Sequence, residues 1–517
     1  MQSVSTDFEN RANGNMRPLS WRALMSFPKA YLPDVDFFTI GVSTIGGTDI
    51  IKGEGDIIQE WDKYQYDDYS YRVMSIETTR QEEPVNSVAL AMADITLENH
   101  DDYFSPDAGS AIQNFILPYR PAKFYLGFGS ENVPVFTGLT EKMPTIDDKR
   151  KTASFHLIDF MYSLFNRPLD QTIILEVART DEALEVLMDA AGILPTQFDF
   201  DIGYNIIDFV YFEKGTKFGD AVRELMEAEM GRFYMAENGV IRFKNRQNYS
   251  SAPVWHFDKS NVLDIKTKTQ DDIINVVEIL ANVRQVQAKQ KYWELQQAAP
   301  IAAGQSIDIW ADFDDPVTSV DDPEQVSIAT TSSFTASTAE SLDEGSIVTS
   351  NIAVDTTLFS KSCLMTFTNT NPYSVYINVL ELWATPAKVV KQIYLREQDD
   401  ASVAEYDERV LTIENDFINN EGDAYSKAHI ILDDWAQYGG ISELTVKGNP
   451  ALQIGDAVSS SIVGYAGTYI ITKIVNKFNF TGTGIQFTQV LTLKKREFKT
   501  YFTIGVSTIG GTDVIAP

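Results

Sequence analysis

The sequence predicts a mainly β, multi-domain protein with a small α/β part, and three observations lead there. Most segments alternate apolar and polar residues with the period of a half-buried strand, as in SYRVMSIETTR, NSVALAMADITLEN, KTASFHLIDFM and VIRFKN. Only three segments carry helical spacing instead. At 517 residues, with 44% hydrophobic and 12% aromatic residues, the chain is too long for one core and rich enough to fill several.

Residues 1–37 read as an N-terminal arm that includes the proline-marked stretch FPKAYLPDVD. The strands between 70 and 165 define a first β domain over 38–166. In TDEALEVLMDAAG, Leu184, Leu187, Met188 and Ala191 share one helical face, with acids in the first turn and Gly192 as the stop. TKFGDAVRELMEAEMG repeats the pattern through Phe218, Ala221, Val222 and Leu225 and stops at Gly231. These helices and their flanking strands predict a small α/β domain over 167–260. Within it, Asn238-Gly239 between two apolar runs is the signal of a type I′ hairpin.

The third helix is EGDAYSKAHIILDDWAQYGG, stacking Ala424, Ala428, Ile431, Leu432 and Trp435 and ending at Gly439. Between Ala302 and Ala387 the composition turns to Ser, Thr and Asp, while strand-like runs such as CLMTFTNTN and SVYINVLELWA continue. Alternation and aromatics favour a β-sandwich insertion over 301–395 rather than a linker. Strands before it (INVVEILANV, KYWELQQ) and after it (VVKQIYL onward) then form one interrupted β domain, 261–300 and 396–500. Residues 501–517 are a C-terminal repeat segment.

Forty-two basic residues face 73 acids, 42 − 73 = −31. That charge opposes tight binding to phosphate backbones and docking on anionic membranes. The longest apolar stretch, around Ile274, is about half of the roughly 20 residues a membrane helix needs, and no membrane anchor is expected. The opening MQSVSTDFENRANGNMRPLS lacks the apolar run of a secretory signal, so synthesis in the cytoplasm is expected. A single cysteine, Cys363, excludes an intrachain disulfide framework and reads as a small buried hydrophobe.

No H-E-x-x-H zinc site, phosphate loop or G-x-S-x-G elbow is present, and no cofactor or metal is expected. His100, His156, His256 and His429 stand singly and outside any nucleophile context. Asp67-Asp68, Asp101-Asp102, Asp314-Asp315, Asp321-Asp322 and Asp433-Asp434 are adjacent pairs that read as solvated turns. DFDDP and VDDPEQ depart from a calcium-loop pattern. No catalytic residue is expected, and the chain reads as a non-enzyme.

ADITLENHDDYFSP, from Ala93 to Pro106, resembles the "TLDN-x-DGRFSP" signature of the minor tail proteins of long-tailed phages. The strands that follow it in that family are matched here by PAKFYLGF at Pro121, VFTGLTEKMPTIDD at Val135 and the long strand KTASFHLIDFMYSLF at Lys151. HDDYF departs from the glycine that more often precedes the family's basic residue. Towards the other end, GNPALQIGD from Gly448 to Asp456, GTYIITKIVNKFNF and GIQFTQVLTLKKRE resemble its closing strands. The resemblance is to the tail-tip or baseplate hub of a siphophage-type tail.

It implies two tail-tube-like β-barrel domains per chain and a homotrimer forming a pseudo-sixfold ring at the virion tail tip. It also implies partners: a sixfold distal tail protein or tube ring, a tape-measure protein, and tail fibre or receptor-binding proteins. DNA would pass without sticking to an acidic lumen. A hub of a tailocin or contractile injection system shares that fold. From another class, a β-rich glycan-binding protein or glycosidase is the alternative.

FTIGVSTIGGTD occurs twice, at Phe38–Asp49 and Phe502–Asp513. Six such strands from three chains would match six docking sites, with Phe38, Ile40, Val42, Ile45, Phe502, Ile504, Val506 and Ile509 as apolar anchors bound by strand addition or groove insertion. The other account is an edge strand or terminal extension retained after duplication.

Overall fold

The computed structural model describes residues 1–14, 17–28, 64–82, 88–106, 108–246, 252–268, 273–323, 331–436, 441–481 and 484–495. Among them the protein is mainly β, and the largest assembly is a 17-stranded sheet that curls twice.

The first curl runs in the order Leu19–Met25, Pro121–Phe128, Glu131–Thr140, Thr152–Ile158, Val88–Glu98, Val73–Glu82, antiparallel throughout. Strict alternation sets its inner face. In Val88–Glu98, Ala91, Ala93, Ile95 and Leu97 are buried, whereas Met92, Asp94 and Glu98 face out. Phe27, Phe104 and Phe155 meet inside at centroid distances of 5.6–5.9 Å. Barrels were expected, yet no ladder among the described residues closes this curl. Its gap is bridged locally: the Trp21 indole N–H donates to the Ser70 carbonyl at 2.9 Å, and the Tyr69 N–H to the Ala23 carbonyl at 2.9 Å.

The second curl is ordered Trp255–Phe257, Ala457–Ser460, Gly467–Thr481, Gly484–Lys495, Ile441–Val446, Val262–Lys268. Its core includes Phe257, Leu444, Leu452, Ile471 and Leu491. Gly467–Thr481 belongs to both curls, because Lys473–Asn479 also pairs with Ser75–Gln81.

The three expected helices are present as Thr180–Ala190, Phe218–Glu229 and Glu421–Trp435. The second ends at Glu229, two residues before its expected glycine. Met230 takes the left-handed cap (φ 58°), and Gly231 is required for another reason: a Cβ there would sit 2.7 Å from the Phe243 ring. The Asn238-Gly239 hairpin forms, but only Gly239 has positive φ (90°), and its N–H donates to the Ala236 carbonyl at 2.9 Å. That is a three-residue loop closed by a left-handed glycine, not a type I′ turn. The expected long strand Lys151–Phe165 stops at Ile158, where the Asp159 carboxylate caps a helix over Phe160–Phe165 by accepting the Tyr162 N–H at 3.1 Å.

The ladders also group the strands differently from the expected interrupted domain. Val276–Val286 pairs with Val375–Gln398 and Val410–Glu414, outside the 17-stranded sheet. Its inner residues Val277, Ile279, Ala281 and Val283 lie in the core that the three helices fill, which Val88 and Leu139 of the first curl also join. Val375–Gln398 is one 24-residue strand. Its second half completes this helical layer, and its first half pairs with Gln290–Glu294, Ala299–Ile301, Val317–Val320 and Ser333–Ser337. A second sheet, Ser306–Asp312, Ser362–Asn369, Ile352–Leu358, packs over that first half. The core between them, with Ile309, Phe334, Met365, Phe367 and Ile377, makes the inserted β-sandwich.

Candidate functional site

Gly448–Asp456, the turn GNPALQIGD, carries the chain from Ile441–Val446 to Ala457–Ser460. It is closed from within: Asn449 Oδ1 accepts the Ala451 N–H at 3.0 Å, and Asp456 Oδ2 accepts the Gln453 N–H at 2.7 Å. Gly448 (φ 87°) and Gly455 (φ 80°) are the two positions whose backbone favours glycine. At Gly455 a Cβ would also displace the end of the Arg232 side chain, standing 1.4 Å from its Nη1.

Distant segments converge on this turn. Gln489 and Asn449 exchange two hydrogen bonds of 3.2 Å, and Gln489 Nε2 also donates to Asn476 Oδ1 at 2.9 Å. Asn476 Nδ2 in turn donates to Thr78 Oγ1 at 3.0 Å, so a buried polar chain links the turn to the first curl. Arg17 donates to the carbonyls of Lys447 and Gly448 and lies 4.7 Å from the Phe128 ring centroid. The Gln2 N–H donates to the Ala451 carbonyl at 2.8 Å.

Glu237 is the hub of this joint. Its Oε1 accepts from Arg80 of the first curl, and its Oε2 accepts from Gln453 of the turn at 2.6 Å. Its backbone carbonyl accepts from Thr137 Oγ1 at 2.8 Å. One buried carboxylate on the Ala236–Val240 loop therefore ties the α/β layer to both curls. Burial raises the Asp456 carboxyl, against the pull of the Met1 amino group beside it. A polar cleft of about 300 Å³ lies between Met1–Ser3 and the Glu237 loop. The arrangement has bonded partners for its carboxylate and no nucleophile–base pair. Its chemistry is that of a structural lock.

Several of the other candidates have partners of their own. His256 sits between two hydroxyls, Nδ1 to Ser459 Oγ at 2.8 Å and Nε2 to Ser461 Oγ at 3.1 Å. His156 contacts Asp94 at 2.8 Å and His429 contacts Glu397 at 3.5 Å. Within the carboxylate pairs, Asp101 binds Arg72, Asp102 binds Lys151, Asp315 binds Arg284 and Asp321 binds Lys289. The Arg72 hydrogen bonds hold Asp101 down to about 2. No cluster of three or more metal-ligating side chains occurs among the described residues, and no helix among them is long and apolar enough to cross a membrane. Cys363 is buried.

Phe38, Ile40, Val42, Ile45, Phe502, Ile504, Val506 and Ile509 all lie outside the described residues. Sequence reading singled out GNPALQIGD but missed its partners Arg80, Glu237 and Gln489. Arg80 and Gln489 stand in alternating strands and Glu237 in a hairpin loop, and nothing in the local pattern marks them as partners.

No protein-family model matches the chain, and no curated protein matches it. Among solved structures it is similar to the 43 kDa tail protein of prophage MuSo2 from Shewanella oneidensis, at 12% identity and TM-score 0.43, over 84% of this chain and 95% of that one. It is similar to a tail protein from Neisseria meningitidis MC58 at 10% identity and TM-score 0.46, over 84% and 94% of the two chains. It is also similar to prophage tail protein gp18 from Listeria monocytogenes EGD-e at 9% identity and TM-score 0.42, over 85% and 94%. All three of these structures are described as tail proteins.

Proposed function

We propose that the protein is a structural hub at the distal end of a phage tail tube. Three copies would form a pseudo-sixfold ring that continues the DNA channel and anchors tail-tip or receptor-binding proteins around it. The observation that carries this reading is the pair of curled sheets fused through Gly467–Thr481 and locked at Glu237. Two such units per chain, in three chains, give 2 × 3 = 6 positions around an axis. Among the described residues the second curl ends in two strands laddered on one side only, Val262–Lys268 and Trp255–Phe257. Such edges invite pairing with another chain.

The net charge of −31 supports a conduit that DNA crosses without adhering. The role requires no enzymatic step, and purified protein is expected to leave peptidoglycan intact. The duplicated FTIGVSTIGGTD would dock on a sixfold neighbour, a distal tail protein or tube ring, with a tape-measure protein above. A reconstruction of the assembled tail tip tests the reading. Three copies around the axis, with both repeat copies in equivalent environments on successive neighbours, is the expected result. One, two or six copies would end it.

A further inference from the structure

We propose that the outer face of the inserted sandwich's three-stranded sheet binds a neutral glycan, with Trp310 as its stacking platform. Alternation along Ser306–Asp312, Ser362–Asn369 and Ile352–Leu358 points Ile309, Cys363, Met365 and Phe367 into the core. The same alternation turns the other side chains outward in register. Trp310 lies opposite Leu364, which lies opposite Thr357. In the next row Asp308 lies opposite Thr366, which lies opposite Asp355. Adjacent strands are about 5 Å apart and successive outward rows about 7 Å apart.

Trp310 is 51% exposed, although an indole is a large apolar surface to leave in water. It is also held still, stacked on Phe359 with ring centroids 5.5 Å apart and planes 28° from parallel. Thr366 Oγ1 donates to Asp308 Oδ1 at 2.7 Å, which orients that carboxylate beside the indole. A rigid aromatic plane bordered by carboxylates and hydroxyls matches a pyranose ring. The sugar's C–H face can cover the indole while its hydroxyls donate to Asp308 and Asp355 and exchange hydrogen bonds with Thr357 and Thr366.

Charge selects among glycans. The three strands contain no lysine or arginine, and Asp308, Asp312 and Asp355 face outward. The nearest base in the sequence, Lys361, has its ammonium 5.8 Å from the Tyr211 ring centroid. Phosphate- or uronate-bearing polymers would be repelled, and neutral hexose polymers would not.

The test is affinity electrophoresis of the full chain through native gels containing laminarin, dextran, galactomannan or, as the anionic case, polygalacturonate. Retardation by at least one neutral polymer is expected, with affinity falling about tenfold in Trp310→Ala and less in Trp310→Phe. Asp355→Ala, at an exposed strand position, should weaken the same retardation without changing the melting temperature. No retardation by any neutral polymer, retardation only by polygalacturonate, or unchanged retardation in Trp310→Ala would overturn the assignment. So would a Trp310→Phe protein that binds normally but changes its oligomeric state, which would make this face a protein interface.

Discussion

Arg80 and Glu237, 157 positions apart, form an ion pair in which neither side chain is more than 9% exposed. Arg80 comes from the first curl and Glu237 from the hairpin of the α/β layer, while Gln453 of the GNPALQIGD turn binds the remaining carboxylate oxygen. Removing one member of a buried pair strands the other charge, at a cost of about 3–5 kcal/mol. Arg80→Ala is therefore expected to lower stability by that amount in urea unfolding. The double variant Arg80→Ala/Glu237→Ala should lose less than the sum of the singles. Additive losses would show that the two side chains do not act as a pair.

Gly455 and Gly464 both have positive φ, 80° and 85°, but differ in surroundings. A Cβ at Gly464 meets nothing within 4 Å, whereas at Gly455 it meets Arg232. Gly464→Ala should carry only the backbone cost of roughly 1 kcal/mol. Gly455→Ala should cost clearly more, since Arg232 must move from its place against the Ile454 carbonyl. Equal melting temperatures for the two variants would contradict the packing described for the joint.

Burial pushes the Glu224 carboxyl from its ordinary 4.5 up to about 7, with Asp416 and Glu227 adding negative charge nearby. The folded protein then holds this proton more tightly than the unfolded chain does. Stability present below about pH 4.5 is lost as pH rises towards 7. Glu224→Gln should leave stability near pH 4.5 little changed and raise it at pH 8 by about 1–2 kcal/mol, after allowance for partial solvent access. A pH profile of melting temperature identical to that of the unmodified protein would refute this.

Cys363 is fully buried in the sandwich core, and burial pushes its thiol up to about 11. Thiolate is the reactive form, so a thiol reagent should find no reactive group in the native protein at neutral pH and one in guanidinium. Rapid labelling of the native state would show that the sandwich opens.

The sequence by itself determined the mainly β character, the three long helices and the sandwich insertion. Each of these rests on short-range periodicity: Leu184, Leu187 and Met188 at helical spacing, or Ala91, Ala93, Ile95 and Leu97 at every second position, are legible without knowing what they pack against. Short-range pattern also placed the Asn238-Gly239 hairpin, though not its turn type. The helix Phe160–Phe165 was not legible, because six residues carry too little periodicity to outweigh the strand before them.

Only the tertiary structure decided which strands share a sheet. Alternation in Val276–Val286 says that one face is buried, and is silent on whether a curl or a helical layer covers it. The 24-residue strand Val375–Gln398 crosses the boundary drawn at 395, since a strand can serve two cores without any change in its own pattern. The joint shows the same separation. GNPALQIGD was visible as a turn, but Arg80, Glu237 and Gln489 are far apart in the chain. Nothing local marks a charge that burial will pair; that choice is made by the packing of three units around one carboxylate.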